Sequence, residues 1–137
     1  MTSVTLTGSC LCGTVRYAAT GEPSRFYHCH CSRCRKATGT GHASNLFLQG
    51  SLDWRSGEDE ISSYKVPEAK RFTTSFCRRC GSRVPRFIEE AGVVLIPAGS
   101  LDDEPGIPVQ ARIFLESRAA WSCDTTALPE YNDYPPP

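Results

Sequence analysis

The sequence has no excess charge of either sign and no long apolar run. Lysine plus arginine total 15, as do aspartate plus glutamate, so no overall field attracts nucleic acid. No segment approaches the roughly 20 apolar residues that a transmembrane helix needs. The first residues also lack the basic start and apolar core of a secretory signal. These absences predict a cytoplasmic protein without a membrane or nucleic acid partner.

Helix signals are also scarce, and short β-prone runs take their place. They lie at residues 4–6, 14–18, 26–29, 45–48, 71–76, 84–88, 93–96 and 109–115. Gly, Pro, Asp and Ser separate the runs at the spacing of an all-β domain. One helical turn is expected at 32–38, ended by Gly39 and Gly41. We predict an all-β fold with minor helical turns, as a single domain over residues 1–134 with a frayed tail at 135–137.

Cysteine, by contrast, is abundant. The 137 residues include eight cysteines, and seven of them fall into three short clusters. The clusters are Cys10 and Cys12, then Cys29, Cys31 and Cys34, then Cys77 and Cys80. In a reducing compartment, clustered cysteines favour metal ligation over disulfides. A disulfide within a C-x-C or C-x-x-C pair would also close no stabilising loop, so disulfides are the less favoured alternative.

The two pairs together supply four thiolates, the number in a closed tetrahedral zinc site. Cys10 and Cys12, two residues apart on a strand, would present both sulfurs on one face. Cys77 and Cys80, followed by Gly81, form a zinc-knuckle pattern, in which the glycine tolerates the positive φ of the turn. Spacing alone does not decide which cysteines share an ion, and an iron–sulfur cluster is the chemical competitor.

The triplet Cys29, Cys31 and Cys34 supplies three thiolates and leaves one position of a tetrahedral ion open. Water or a substrate thiol could fill that position. The candidate side chains are His28, His30, His42 and Cys123. If one of these side chains closed the site, the triplet would be a second structural site.

The four candidate side chains differ in what the sequence predicts for them. His28 and His30 alternate with the cysteines, so strand geometry turns them to the opposite face, where we expect satisfied or exposed rings. His42 is expected at the surface, although a ligand or proton-shuttle role is an alternative. Cys123 is expected as a small buried apolar residue.

The charge of such a site favours thiol chemistry. Zinc with three thiolates carries a net charge of −1, so it acidifies water less than zinc on three neutral histidines. It still takes a fourth thiolate readily, because a coordinating thiol loses its proton. We therefore expect a small-molecule thiol as the ligand. Arg33, Arg35 and Lys36 could hold carboxylates of a thiol-bearing peptide, or they could be solvated surface residues.

Basic residues surround the third cysteine cluster. They are Lys65, Lys70, Arg71, Arg78, Arg79, Arg83 and Arg86. A nucleic acid backbone is one partner that such a cluster would suit. We favour a second interpretation, in which these cations balance the net dianion of zinc with four thiolates. The zero net charge and the acidic C-terminal part of the chain support that preference.

The three cysteine motifs and their neighbours resemble one known family. The motifs read GSCLCGTVRY at 8–17, CHCSRCRK at 29–36 and FCRRCGS at 76–82, with weaker matches at 98–102, 113–114, 117, 121 and 128–129. They resemble the glutathione-dependent formaldehyde-activating enzyme family, which also includes centromere protein V. The resemblance implies a zinc-stapled β-tent of packed antiparallel sheets.

The resemblance also implies the ligand sets and the chemistry. Cys10, Cys12, Cys77 and Cys80 would hold a structural zinc. Cys29, Cys31 and Cys34 would hold a second, catalytic zinc, giving two Zn²⁺ per chain. The family's reaction joins formaldehyde to the thiol of glutathione and is classed as carbon–sulfur lyase chemistry. The alternative is a non-catalytic zinc module that binds a protein or nucleic acid.

Overall fold

A computed structural model describes residues 2–122 and 127–137 of the chain. Its strands are β1 Val4–Ser9, β2 Arg16–Cys29, β3 Ala43–Ser56, β4 Ile61–Lys65, β5 Thr73–Cys77, β6 Arg86–Ile88, β7 Val93–Pro97 and β8 Ala111–Ile113. One α-helix, α1 Ser32–Thr38, and several 3₁₀ turns complete the described elements. The all-β prediction is confirmed.

The strands form two sheets. Six strands form the main sheet, in the order β1-β2-β3-β7-β6, with β8 added beside β2. The neighbours along that order pair antiparallel, whereas β8 pairs parallel to β2 at residues 27–29. The second sheet is the β4–β5 hairpin. The fold therefore consists of one large sheet and a smaller hairpin sheet beside it.

The long strands β2 and β3 form the centre of the main sheet. Two short strands were predicted at 14–18 and 26–29, but β2 runs unbroken between them, with a register shift between Pro23 and Arg25. Likewise β3 extends well beyond the predicted run at 45–48. The break predicted between these two runs is wrong, because residues of that interval, among them Gly21, pair directly with β3. Cross-strand pairing therefore outweighs the local turn signal.

Alternating side chains of the main sheet build the principal core. Its buried members are Leu6, Tyr17, Ala19, Phe26, Leu46, Leu48, Val94 and Ile96. Leu46 and Leu48 are two residues apart on β3, as are Val94 and Ile96 on β7, so each strand contributes one face. The opposite face of these strands carries half-buried side chains such as Phe47 and Val93. That second face is where the cavities and one cysteine cluster lie.

The helix α1 matches its predicted bounds, Ser32–Thr38. Cys31 caps its start, because the Cys34 N–H donates to the Cys31 Sγ at 3.2 Å. Gly39 ends it with φ 73°, and its N–H donates to the Arg35 carbonyl. This left-handed glycine is a common helix terminator. In the described ranges, no helix has the length and apolar content to cross a bilayer.

The close approach of β2 and β3 yields a stability prediction. A Cβ added at Gly50 would overlap the Thr20 carbonyl oxygen and lie 2.7 Å from the Gly21 Cα. Because both neighbours are backbone, Gly50→Ala should lower the free energy of unfolding by about 1–3 kcal/mol, measured by urea denaturation. Gly99→Ala is the matched control, since no atom lies within 4 Å of its added Cβ. Equal effects of the two substitutions would contradict this account.

Candidate metal centres

The first cysteine pair lies in a turn and not on a strand. β1 ends at Ser9, and the chain turns with the Gly13 N–H donating to the Cys10 carbonyl at 3.1 Å. The strand geometry predicted for Cys10 and Cys12 is therefore wrong. The turn still directs both thiols to one side, and their Sγ atoms lie 3.6 Å apart. The Val15 N–H donates to the Cys10 Sγ at 3.3 Å, so the backbone orients that sulfur.

The third cluster is a knuckle at the end of β5. Cys77 is the last residue of the strand, and the Gly81 N–H donates to its carbonyl at 2.7 Å. Gly81 has φ 79°, as the pattern predicted. The Arg79 N–H lies 3.4 Å from the Cys77 Sγ. The turn thus offers both a compact loop and a hydrogen bond to a sulfur.

The two pairs meet in space, as the resemblance implied. The Sγ atoms of Cys10, Cys12, Cys77 and Cys80 all lie within 4.8 Å of one another. The Cys12 and Cys77 sulfurs are 3.9 Å apart. A tetrahedral ion with metal–sulfur bonds of about 2.3 Å requires sulfur–sulfur distances of about 3.8 Å. These four side chains, which we call the closed cluster, therefore fit a four-coordinate metal ion.

The thiols of the closed cluster differ in acidity. The hydroxyl and backbone N–H of Ser82 lower the pKa of Cys80 to about 5. The hydroxyl and backbone of Thr14 lower the pKa of Cys12. Burial raises the pKa of Cys77. A cation at the centre favours the thiolate form of every sulfur, so the cluster is suited to bind one.

The triplet is assembled from one short segment. Cys29 ends β2, Cys31 caps α1, and Cys34 lies within α1. Their three Sγ atoms lie within 4.8 Å of one another. Cys29 and Cys34 are buried and Cys31 is half-buried. We call these three residues the open cluster, since they could hold a metal ion that retains a further position.

Burial sets the ionisation of the open cluster. It raises the pKa of Cys29 and, more strongly, that of Cys34, where the neighbouring sulfurs add to the effect. For Cys31, burial also raises the pKa, but hydrogen bonds, led by that from the Cys34 backbone N–H, outweigh it and lower the pKa overall. Cys31, the most exposed of the three, is therefore the thiol that ionises first.

A fourth protein ligand for the open cluster is absent among residues 2–122 and 127–137. Among these residues, no histidine nitrogen, carboxylate oxygen or other cysteine sulfur lies within 4.8 Å of all three sulfurs. The candidate Cys123 lies outside the described residues. Among the described residues, the triplet therefore has one candidate ligand fewer than the closed cluster.

The three histidines form a group of their own. The rings of His28 and His42 stack with centroids 3.9 Å apart, and His30 lies 5.2 Å from His42. Burial, mutual repulsion and Arg112 lower the pKa of His28 and His30, and burial and Arg112 lower that of His42. His42 is half-buried and not a surface residue. The rings are therefore favoured in their neutral form.

His30 corrects one expectation. It was predicted to be satisfied or exposed, but it is 1% exposed and neither ring nitrogen has a hydrogen-bond partner. Burial lowers the pKa of the ring, and the Gly41 backbone raises it to a lesser extent. The residue lies beside β8, where its backbone N–H donates to the Ile113 carbonyl at 2.9 Å, and beside the His42 ring. Its burial therefore comes from tertiary packing that alternation along a strand does not predict.

A cleft of about 700 Å³ lies between the two clusters. Its walls are residues 9–11, 37–38, 42–44, 81–83 and 97–102. It contacts the closed cluster through Cys10, and it reaches the open cluster through Ala43, which packs against Cys29 and Cys34. The sulfurs of the open cluster do not themselves line it. We call this space the inter-cluster cleft.

Arg83 is the charged residue that sequence reasoning did not assign to this site. It lines the inter-cluster cleft, and its Nε donates to the Thr74 hydroxyl at 3.1 Å. Burial lowers its pKa, while the nearby Cys34 thiolate favours its charged form. Phe72 and Ile113, which pack against the open cluster, were also missed. All three residues reach the site through tertiary contacts, so no local sequence motif identifies them as site residues.

Only part of the predicted basic group lies at the closed cluster. Arg78 and Arg79 pair with Glu60 at 2.7 and 3.7 Å. Four others, Lys65, Lys70, Arg71 and Arg86, line a separate cavity. Of the cations on α1, Arg35 has a buried Nε without a hydrogen-bond partner. The seven basic residues that the sequence suggested as one group are therefore divided among three places. These are the ion pairs with Glu60, the separate cavity and, for Arg83, the inter-cluster cleft.

The fold is similar to a solved structure. A Rhodobacter sphaeroides protein, determined by crystallography in a structural genomics programme, superimposes with a TM-score of 0.51. The match covers 77% of this chain and 97% of that one, at 20% identity. At this identity the likeness supports the fold alone.

Sequence comparison establishes the family. The family model described as "Glutathione-dependent formaldehyde-activating enzyme" matches residues 5–117. A Halomonas elongata protein described as "Putative glutathione-dependent formaldehyde-activating enzyme" is 31% identical over 127 residues, covering 85% of this chain and 78% of that protein. The matched range includes every cysteine of the closed and open clusters. The chain therefore belongs to the glutathione-dependent formaldehyde-activating enzyme family.

Proposed function

We propose that this protein is a zinc-dependent enzyme of the carbon–sulfur lyase type. It would act on the adduct of a small aldehyde, such as formaldehyde, with a thiol resembling glutathione. The observation that carries the proposal is the contrast between four convergent sulfurs in one cluster and three in the other. A closed four-ligand site is structural, whereas a three-ligand site leaves room for a substrate atom.

Zinc suits both clusters on the chemistry of their donors. Thiolates are soft ligands, and tetrahedral sites built from them are typical of zinc or iron–sulfur centres. Cys10, Cys12, Cys77 and Cys80 would hold one ion, and Cys29, Cys31 and Cys34 would hold the second. A zinc ion on the open cluster would supply a fourth position that accepts a thiolate sulfur and keeps it deprotonated.

The bond changes of the proposed reaction are simple. The thiolate sulfur attacks the aldehyde carbon, a carbon–sulfur bond forms, and the C=O π electrons move to the oxygen. The proton that the thiol lost ends on that oxygen, so the product is a hydroxymethyl thioether. The reverse reaction breaks the same bond without water. Holding both reactants in one site removes much of the entropic cost of their encounter.

Residues of the inter-cluster cleft would bind and orient the thiol. Arg83 presents a partly buried guanidinium that can hold a substrate carboxylate through charge-assisted hydrogen bonds. His42 also lines the cleft, and its lowered pKa keeps the ring neutral and able to accept a hydrogen bond. Arg35, with its unpartnered Nε, is a second candidate for a carboxylate contact. Arg83 and His42 line the cleft between the two clusters, where a peptide-like thiol would fit, whereas Arg35 does not line it.

The two clusters should respond differently to loss of one cysteine. Cys31→Ser keeps the helix cap, because a serine hydroxyl can accept the Cys34 N–H bond. It should abolish turnover of glutathione and formaldehyde while the melting temperature changes little. Cys77→Ser should unfold the domain, because a structural zinc contributes about 10–16 kcal/mol in small domains. Unfolding by Cys31→Ser would instead make the open cluster structural, in support of the non-catalytic alternative.

Metal content tests the number and identity of the ions. Mass spectrometry and elemental analysis of the purified protein should find two zinc ions per chain, against one in Cys31→Ser. X-ray absorption at the zinc edge should detect an added sulfur ligand when glutathione is present, in the native protein alone. Iron in place of zinc, or an unchanged spectrum with glutathione, would contradict the proposal.

The assignment of Arg83 predicts a substrate-dependent defect. Arg83→Gln should raise the KM for glutathione at least about tenfold, since a hydrogen bond to a charged group contributes about 1.5–3 kcal/mol. The KM for 2-mercaptoethanol, which has no carboxylate, should stay within about twofold. Steady-state kinetics with both thiols make the comparison. The same increase for both thiols would show that Arg83 supports the site's structure and does not bind a carboxylate.

A further inference from the structure

A second cavity lies between the main sheet and the β4–β5 hairpin, and the proposed reaction does not use it. Its volume is about 570 Å³, within the range of small-molecule sites. β2, β3, β6 and β7 of the main sheet contribute one side, through residues such as Phe47 and Val93. Lys65 and Thr73, at the loop end of the hairpin, contribute the other. We call this space the basic cavity.

Positive charge is concentrated in the basic cavity. Five cationic side chains line it, against one acidic side chain, Glu90. The cations are Arg25, Lys65, Lys70, Arg71 and Arg86. The whole chain has no net charge, so this excess is a local feature. Like charges held together around a concave surface repel one another unless an anion lies between them.

Two contacts prepare the cavity for a ligand. The Lys65 Nζ donates to the carbonyls of Val66 and Ala69, at 3.1 and 2.6 Å, and Ala69 is buried. This holds the loop that carries Lys70 and Arg71 against the hairpin. Arg86, on β6, has a buried Nε without a hydrogen-bond partner. A buried donor of this kind is costly unless a ligand satisfies it.

The lining also includes an apolar part. Phe47, Ile88 and Val93 are half-buried and form one wall. A ligand that fits both parts carries an oxyanion at one end and a short apolar body at the other. We propose that the basic cavity is a binding site for a small organic dianion, a phosphate monoester or a dicarboxylate.

A nucleic acid fits the cavity less well than a small anion does. Phosphate backbones are bound along extended basic surfaces, whereas these charges converge on one concave space. Arg78 and Arg79 lie outside the cavity lining, and both pair with Glu60. Converging guanidinium groups suit one compact oxyanion, because each can donate paired hydrogen bonds to it.

The basic cavity is distinct from the open cluster, although both involve one segment. Phe72 packs against the open cluster, whereas its neighbours Arg71 and Thr73 line the cavity. Along β2, Arg25 in the cavity and Cys29 in the cluster are four residues apart, about 13 Å. The proposal therefore does not depend on the reaction at the metal site.

Calorimetric titration of the metal-loaded protein tests the site, at constant ionic strength maintained with sodium chloride. Phenyl phosphate and succinate are the two probes, and they distinguish a phosphate ligand from a dicarboxylate. At least one should bind saturably with one site per chain. Arg86→Gln and Arg71→Gln should each weaken it about tenfold or more, since each removes a charge-assisted hydrogen bond.

Arg55→Gln provides the matched control. Arg55 is exposed, pairs with Asp53 at 3.1 Å and lies outside the cavity lining, so its loss should leave affinity within about twofold. Arg71 is exposed, so Arg71→Gln tests the site even if Arg86→Gln unfolds the protein. Absence of saturable binding by both probes, or equal weakening in all three variants, would overturn the proposal. Tighter binding of a short DNA duplex that displaces the probe would overturn it as well.

Discussion

The meeting of four sulfurs is the constraint on which the arrangement of the two sheets depends. Cys10 and Cys12 follow β1 of the main sheet, whereas Cys77 ends β5 of the hairpin sheet and Cys80 lies in the turn after it. The closed cluster thus joins the ends of strands from different sheets. Only a few apolar side chains, among them Val15 and Val84, pack beside it. With so small an apolar contact at this junction, metal ligation is well placed to hold the sheets together.

Charge is distributed in keeping with the two clusters. Thiolate clusters are anionic when they hold a divalent ion, yet the arginines nearest the knuckle, Arg78 and Arg79, pair with Glu60. Arg83 lines the inter-cluster cleft instead, and its Nε donates to the Thr74 hydroxyl. The backbone N–H groups that point at Cys10, Cys31 and Cys77 supply part of the balance locally. The other basic residues of this region, Lys65, Lys70, Arg71 and Arg86, line the basic cavity.

Features defined by neighbouring residues could be predicted from the sequence, and features defined by distant pairing could not. The helix Ser32–Thr38 and the knuckle at Gly81 depend on glycines with positive φ, so local sequence suffices. The unbroken β2 depends on its pairing with β3, and β4 was missed because its residues are mostly exposed and show no alternating pattern. The packing of Phe72 against the open cluster and the position of Arg83 in the inter-cluster cleft depend on tertiary contacts that the sequence does not record.

The two clusters differ in how far apart their cysteines lie in the sequence. The closed cluster joins residues 65 positions apart in sequence, Cys12 and Cys77, so its ligation constrains the chain over much of its length. The open cluster takes its sulfurs from one segment that β2 and α1 already position. Since little chain must be ordered to bring these sulfurs together, ligation there adds little to folding. β5 connects the two clusters. Phe72, just before its first residue, packs against the open cluster, and Cys77, its last residue, belongs to the closed cluster.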